Sequence, residues 1–161
     1  MKRITKVLAA TAVLVALFAT PVLAIDASYS ADNTDFLIVQ LNNNAAKLNS
    51  ELNDFIKVQA GPNAEAVIAA QKVLVANKIA SVNRGCSQNH LNNLAGKVYN
   101  AKVNEANALS QLNWSKSLAA NSASFNGQVE TAQKIYDNAV AATAAAEAYL
   151  AEAKVKLAPF M

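Results

Sequence analysis

The sequence has very few residues of the types on which many small domains depend. Its 161 residues include one cysteine and one histidine, which excludes an intrachain disulfide framework, a multi-cysteine zinc site and sites built from several imidazoles. Four glycines and three prolines provide little turn chemistry for an all-β fold. The sequence also has no Gly-rich phosphate loop and no Gly-flanked serine elbow. We therefore predict neither a cofactor nor an enzymatic activity.

An excess of basic charge is also missing once the N-terminal segment is set aside. The chain has 14 basic and 11 acidic residues, but residues 1–24 contain three of the basic ones and no acidic one. A chain that begins at Ile25 is therefore formally neutral. Because nucleic-acid binding requires Lys and Arg clustered against phosphates, we predict no nucleic-acid partner.

Residues 1–24 have the pattern of a cleavable secretory signal peptide. Basic residues precede an apolar run over residues 7–19, and Pro21 is followed by a cleavage-type sequence that ends at Ala24. The alternative is an uncleaved anchor, because an apolar run extended to Ile25 is barely long enough to span about 30 Å of hydrocarbon. We expect an exported protein, secreted, periplasmic or at the surface of a bacterial cell, with no membrane contact after cleavage.

From residue 25 onward, the pattern of apolar residues predicts a single all-α domain. We expect an elongated antiparallel bundle, or coiled-coil-like hairpins, of about four helices, because apolar residues recur at alternating spacings of three and four. Alanine contributes strongly to the last helix, where it favours helix formation and close packing. The predicted packing seam consists of Ile38, Leu41, Leu48, Leu52 and Phe55 in the first helix, and Val129, Ala132, Tyr136, Ala139, Ala146, Leu150, Ala153 and Leu157 in the last.

Three breaks separate the four predicted helices. Gly61-Pro62 ends the first helix near Ala60, because Gly tolerates positive φ and Pro disfavours helix in the residue before it. The segment 84–87 is expected to end the second helix, since a basic residue followed by Gly is common at a helix C-terminus. A polar segment over residues 121–127 precedes the last helix. Such short connections predict antiparallel neighbours.

Cys86 is the one candidate for covalent chemistry. An unpaired thiol at a predicted turn of an exported protein is available for an intermolecular disulfide. His90 follows four residues later, but two ligands are too few for a specific metal site. The sequence indicates no third group to orient a Cys–His catalytic pair. We therefore predict no catalytic, cofactor-binding or metal-binding residues, and Cys86 as the site of a possible disulfide between chains.

The function that these features favour is non-catalytic. We expect a helical protein of the cell envelope or extracellular space that acts through protein–protein interaction, with a protein partner or with itself. The alternatives are a periplasm-type holding chaperone and a peripheral lipid-surface binder, although a lipid binder usually carries Lys and Arg along one polar face. Asparagine is abundant on the polar faces, which fits hydrogen bonding to glycans or to an envelope protein, or compositional drift.

Overall fold

The computed structural model describes residues 34–161, and this part of the chain is all-α, as predicted. It contains three α-helices: α1 (Thr34–Lys57), α2 (Ala64–Asn121) and α3 (Asn126–Leu157). Short 3-10 helices, Ala123–Phe125 and Ala158–Phe160, follow α2 and α3. No strand occurs within the described range, and the predicted signal peptide lies outside it.

The described residues form three helices rather than the expected four, because α2 continues through the predicted break at residues 84–87. Gly85 adopts a helical rather than a positive φ, and no proline follows it. A glycine inside a helix costs only about 1 kcal/mol relative to alanine. Buried residues before and after it, Val75 and Leu91 among them, stabilise the helix on both sides. The Arg-Gly pair alone was therefore insufficient to end the helix.

The predicted break at Gly61-Pro62 does separate two helices. The first, α1, ends at Lys57, and α2 begins at Ala64. Gly61 has a φ of +107°, the positive φ that an L side chain rarely adopts. The chain therefore reverses here because two neighbouring residues each oppose helix formation, whereas Gly85 opposes it alone.

The described chain divides into two compact units at Gly85 and Cys86, inside α2. The first unit contains α1 and the beginning of α2. Its apolar cluster joins Leu48 and Leu52 of α1 to Val75 of α2. Ile56 of α1 and Ile79 of α2 pack against this cluster. Two helices that pack together across so short a connection form a helical hairpin.

The second unit pairs the remainder of α2 with α3. Leu112 is 2% exposed, and three small residues are also buried: Ala108 in α2 and Ala132 and Ala153 in α3. Alanine at buried positions allows two helices to approach closely. The ion pair between Lys102 and Glu147 joins the two helices of this unit at 2.8 Å.

The predicted packing seam consists entirely of residues that are buried or half-buried. Those that are buried are Leu41, Leu48, Leu52, Phe55, Ala132, Ala153 and Leu157, and those that are half-buried are Ile38, Val129, Tyr136, Ala139, Ala146 and Leu150. Leu37 is also buried, although the sequence pattern placed its neighbour Ile38 on the seam. In the part of the chain that the structure describes, no helix is both long and apolar enough to cross a membrane.

Candidate functional site

The pairing of α2 with α3 forms a groove along one side of the second unit. Its lining residues follow the spacing i, i+3, i+4, i+7 on each helix, so each helix contributes a single continuous side. The groove has a volume of about 490 Å³ and is lined by Lys102, Glu105, Ala106, Leu109, Val140, Thr143, Ala144 and Glu147.

Exposed apolar residues line and extend this groove on both helices. On α2 they recur every three or four residues, and on α3 they recur at spacings of four and seven, so each set lies along one side of its helix. We call this surface the apolar flank, and it consists of Tyr99, Val103, Ala106 and Leu109 on α2 and Val140, Ala144, Ala151 and Val155 on α3. Tyr99 is 69% exposed and Val155 is 76% exposed. Scattered single apolar residues are normal on a surface, but two parallel rows are characteristic of a contact surface.

A cross-helix ion pair lies in the groove of the apolar flank. The hydrogen bond that Lys102 donates to Glu147, together with Coulomb attraction from Glu147 and Glu105, raises the pKa of Lys102 above its usual 10.5. Stabilisation by this pair is therefore present below the unfolded-state pKa and is lost as the pH rises through the higher folded-state pKa. Both side chains are at least half exposed, so the pair contributes little to the stability of the fold.

A second groove lies on the opposite side of the same helix pair, close to the turn between α2 and α3. On α2, the core residues Ala108 and Leu112 separate its lining positions from those of the apolar flank. We call it the tryptophan groove. Its volume is about 400 Å³, and it is lined by Gln111, Trp114, Ser115, Gly127, Gln128, Thr131, Ala132 and Ile135.

The tryptophan groove combines an exposed indole with uncharged polar side chains. Trp114 is 62% exposed and Ile135 is 47% exposed. Gln111 and Gln128 are exposed to solvent, while the Thr131 hydroxyl donates a hydrogen bond to the carbonyl of Gly127 at 3.0 Å. Among the described residues, none that lines this groove is charged.

Cys86 and its neighbours lie within α2 rather than at a turn. Cys86 is half-buried and unpaired, Ser87 is fully buried, and His90 is 2% exposed. Within residues 34–161, the Ser87 hydroxyl has no hydrogen-bond partner. Among the described residues, no group of three or more His, Cys, Asp or Glu side chains is arranged to hold a metal ion. The structure thus places Cys86 and His90 on one helix, and residues 34–161 form no metal-binding cluster around them.

Burial raises the pKa of the Cys86 thiol above its usual value of 9.0. Because the thiolate is the reactive form, we expect iodoacetamide at pH 8 to alkylate Cys86 more slowly in the folded chain than in the chain unfolded in urea. The rate for the folded chain should still be rising with pH above 9. Mass spectrometry of quenched samples measures both rates, and equal or faster labelling of the folded chain would contradict this prediction. The expected intermolecular disulfide at Cys86 stays a prediction, and a raised pKa slows its formation.

Sequence reasoning missed both surfaces because it sought the residues that pack together. The exposed rows on α2 and α3 have a helical period of their own, offset from the buried seam, and that period is visible in the sequence. The apolar residues that do not belong to the seam are the ones that remain exposed on these helices. Trp114 follows Leu112 by two residues, so the two side chains lie on different sides of the helix. That spacing indicates that the large aromatic side chain of Trp114 lies away from the buried seam.

Comparison with known protein families, with curated proteins and with solved structures finds no match to this chain. A functional assignment therefore depends on the chemistry of the chain's own surfaces.

Proposed function

We propose that this chain is an exported, non-catalytic helical protein that acts by protein–protein interaction through its apolar flank, in the cell envelope or extracellular space. The interaction we propose is self-association, in which the apolar flanks of two copies face each other. Each copy contributes coiled-coil-like helical hairpins, and export depends on the signal peptide predicted over residues 1–24.

The observation that carries this proposal is the pair of exposed apolar rows beside the groove of the second unit. Burying the side chains of Tyr99, Leu109 and Val155 from water would be favourable, by about 25 cal/mol for each Å² of apolar area. Aromatic residues are also enriched where protein surfaces meet. No covalent chemistry is required for this contact.

The charges on the apolar flank support a second copy as the occupant. Lys102 lies beside Glu105 and Glu147, so charges of both signs are close together in the groove. In a contact between identical surfaces related by a two-fold axis, the basic group of each copy can lie opposite the acidic groups of the other. Charges of one sign alone would repel in such an arrangement.

Site-specific photo-crosslinking tests whether the apolar flank faces another copy. We would express residues 1–161 in an exporting bacterial host and purify the exported chain with p-benzoylphenylalanine replacing Leu109. The matched control replaces Gln111, which is also exposed but lies on the tryptophan groove, only two residues along α2. We expect crosslinked dimers from position 109 and few or none from position 111.

Two outcomes of this experiment would count against the proposal. Equal crosslinking at the two positions would indicate random collision, and the absence of dimers from position 109 would rule out self-association through this surface. If the chain does not self-associate but, added in excess, prevents an unfolded client protein from aggregating, the holding-chaperone alternative is favoured instead.

A further inference from the structure

We propose that the tryptophan groove is a binding site for neutral carbohydrate, a second function that is separate from the contact made by the apolar flank. The groove presents an exposed indole between uncharged hydrogen-bonding side chains. This combination matches the surface of a sugar ring, which has an apolar face and a polar rim.

The indole of Trp114 provides the stacking surface. It lies on α2, lines the groove and is 62% exposed, so a large part of its apolar area is available to a ligand. The face of an indole ring carries negative quadrupolar charge. The C–H groups on one face of a pyranose ring carry small positive charges, and they are therefore attracted to that face. Ile135, on the opposite helix, extends this apolar surface.

The polar residues of the groove provide hydrogen bonds of both kinds. The side-chain amides of Gln111 and Gln128 each offer two N–H donors and one carbonyl acceptor, and they are exposed on opposite helices. The Thr131 hydroxyl already donates its proton to the carbonyl of Gly127, which leaves its oxygen available as an acceptor. Sugar hydroxyls both donate and accept, so these groups complement them.

The absence of charge among the lining residues determines the class of sugar. An anionic ligand would require a basic side chain to compensate for its lost hydration, and none lines this groove. A purely apolar ligand would displace water from the two glutamine amides without replacing its hydrogen bonds, which is unfavourable. A neutral oligosaccharide satisfies both conditions, and a volume of about 400 Å³ leaves room for a short one.

Intrinsic fluorescence tests this assignment directly, because Trp114 is the only tryptophan in the sequence. We would titrate the exported chain with maltotriose and with N,N′,N″-triacetylchitotriose, and with a trimer of galacturonate as the anionic comparison. We expect a saturable change in Trp114 emission with at least one neutral sugar, with a Kd on the order of 1 mM for a shallow groove. Isothermal calorimetry provides a second readout that does not depend on the fluorophore.

Variants then assign the binding to this groove. We expect Trp114→Ala to weaken binding by about tenfold or more and Gln128→Ala to weaken it severalfold, both measured by calorimetry. Leu109→Ala, on the other side of the helix pair, should leave sugar affinity unchanged. Because Trp114 is exposed, its replacement should leave the fold intact, as circular dichroism can confirm.

Three results would overturn this proposal. The first is the absence of a saturable response to either neutral sugar. The second is a sugar affinity of the Trp114→Ala variant equal to that of the unmodified chain, and the third is binding of the galacturonate trimer alone. None of these results bears on whether Leu109 contacts another copy, so the two proposals succeed or fail separately.

Discussion

Replacing Leu112 by Ala should lower the free energy of unfolding by about 2–5 kcal/mol. Leu112 lies in α2 and is 2% exposed, so its truncation removes buried apolar atoms and leaves a cavity in the second unit. Chemical denaturation followed by circular dichroism at 222 nm measures the change. A Leu112→Val variant, which removes less volume, should give a smaller loss and remain measurable if the alanine variant is largely unfolded.

Leu109 is the matched control for Leu112, because the same residue type occurs three positions earlier on the same helix. It is 40% exposed on the apolar flank, so Leu109→Ala should change the unfolding free energy by less than about 1 kcal/mol in the monomer. Similar losses of unfolding free energy for the two variants would contradict the placement of Leu112 in the core and of Leu109 on the exposed side of α2.

Replacing Gly61 by Ala should destabilise the chain by about 1–3 kcal/mol. Gly61 lies between α1 and α2 with a φ of +107°, and among the described residues no atom beyond its two chain neighbours lies within 4 Å of the position of an added Cβ. The expected loss therefore comes from the backbone conformation rather than from a steric clash with other residues. Denaturant unfolding of the variant measures it.

Gly85 and Gly96 are controls for Gly61, because alanine is expected to have the opposite effect on stability at these two positions. Both lie inside α2, neither has a positive φ, and an added Cβ would meet no atom within 4 Å at either position. Alanine should therefore stabilise the chain by about 0.5–1 kcal/mol at each site, since it favours helix and restricts the unfolded chain. Destabilisation by Gly85→Ala would indicate that α2 is interrupted there, as the sequence pattern alone suggested.

The sequence predicted the helical class and the main turn because both depend on local features. Apolar residues at spacings of three and four identify helices without knowledge of their partners. The pair Gly61-Pro62 contains two independent obstacles to helix, and it marked the end of α1 to within a few residues. At residues 84–87 the local signal was weaker, and packing of the residues before and after Gly85 determined the outcome.

The candidate surfaces depend on how α2 and α3 pair, and the register of this pairing could not be predicted from the sequence pattern. Lys102 and Glu147 are far apart in the chain, and their ion pair follows from the antiparallel register of α2 and α3. The same register places Trp114 and Ile135 in one groove. The apolar residues that remain exposed can be identified only after the buried side of each helix is known.

The solution mass of the exported chain, measured by light scattering over a range of concentrations with and without reductant, tests directly whether two copies associate. We expect a species of about twice the mass of one chain that persists in reductant, and we expect Leu109→Glu combined with Val140→Glu to convert it to a monomer. Both replaced side chains are exposed, so the helices should remain intact. A monomer at every concentration, or a dimer that the double variant leaves unchanged, would contradict the claim that the apolar flank is a contact surface between two copies.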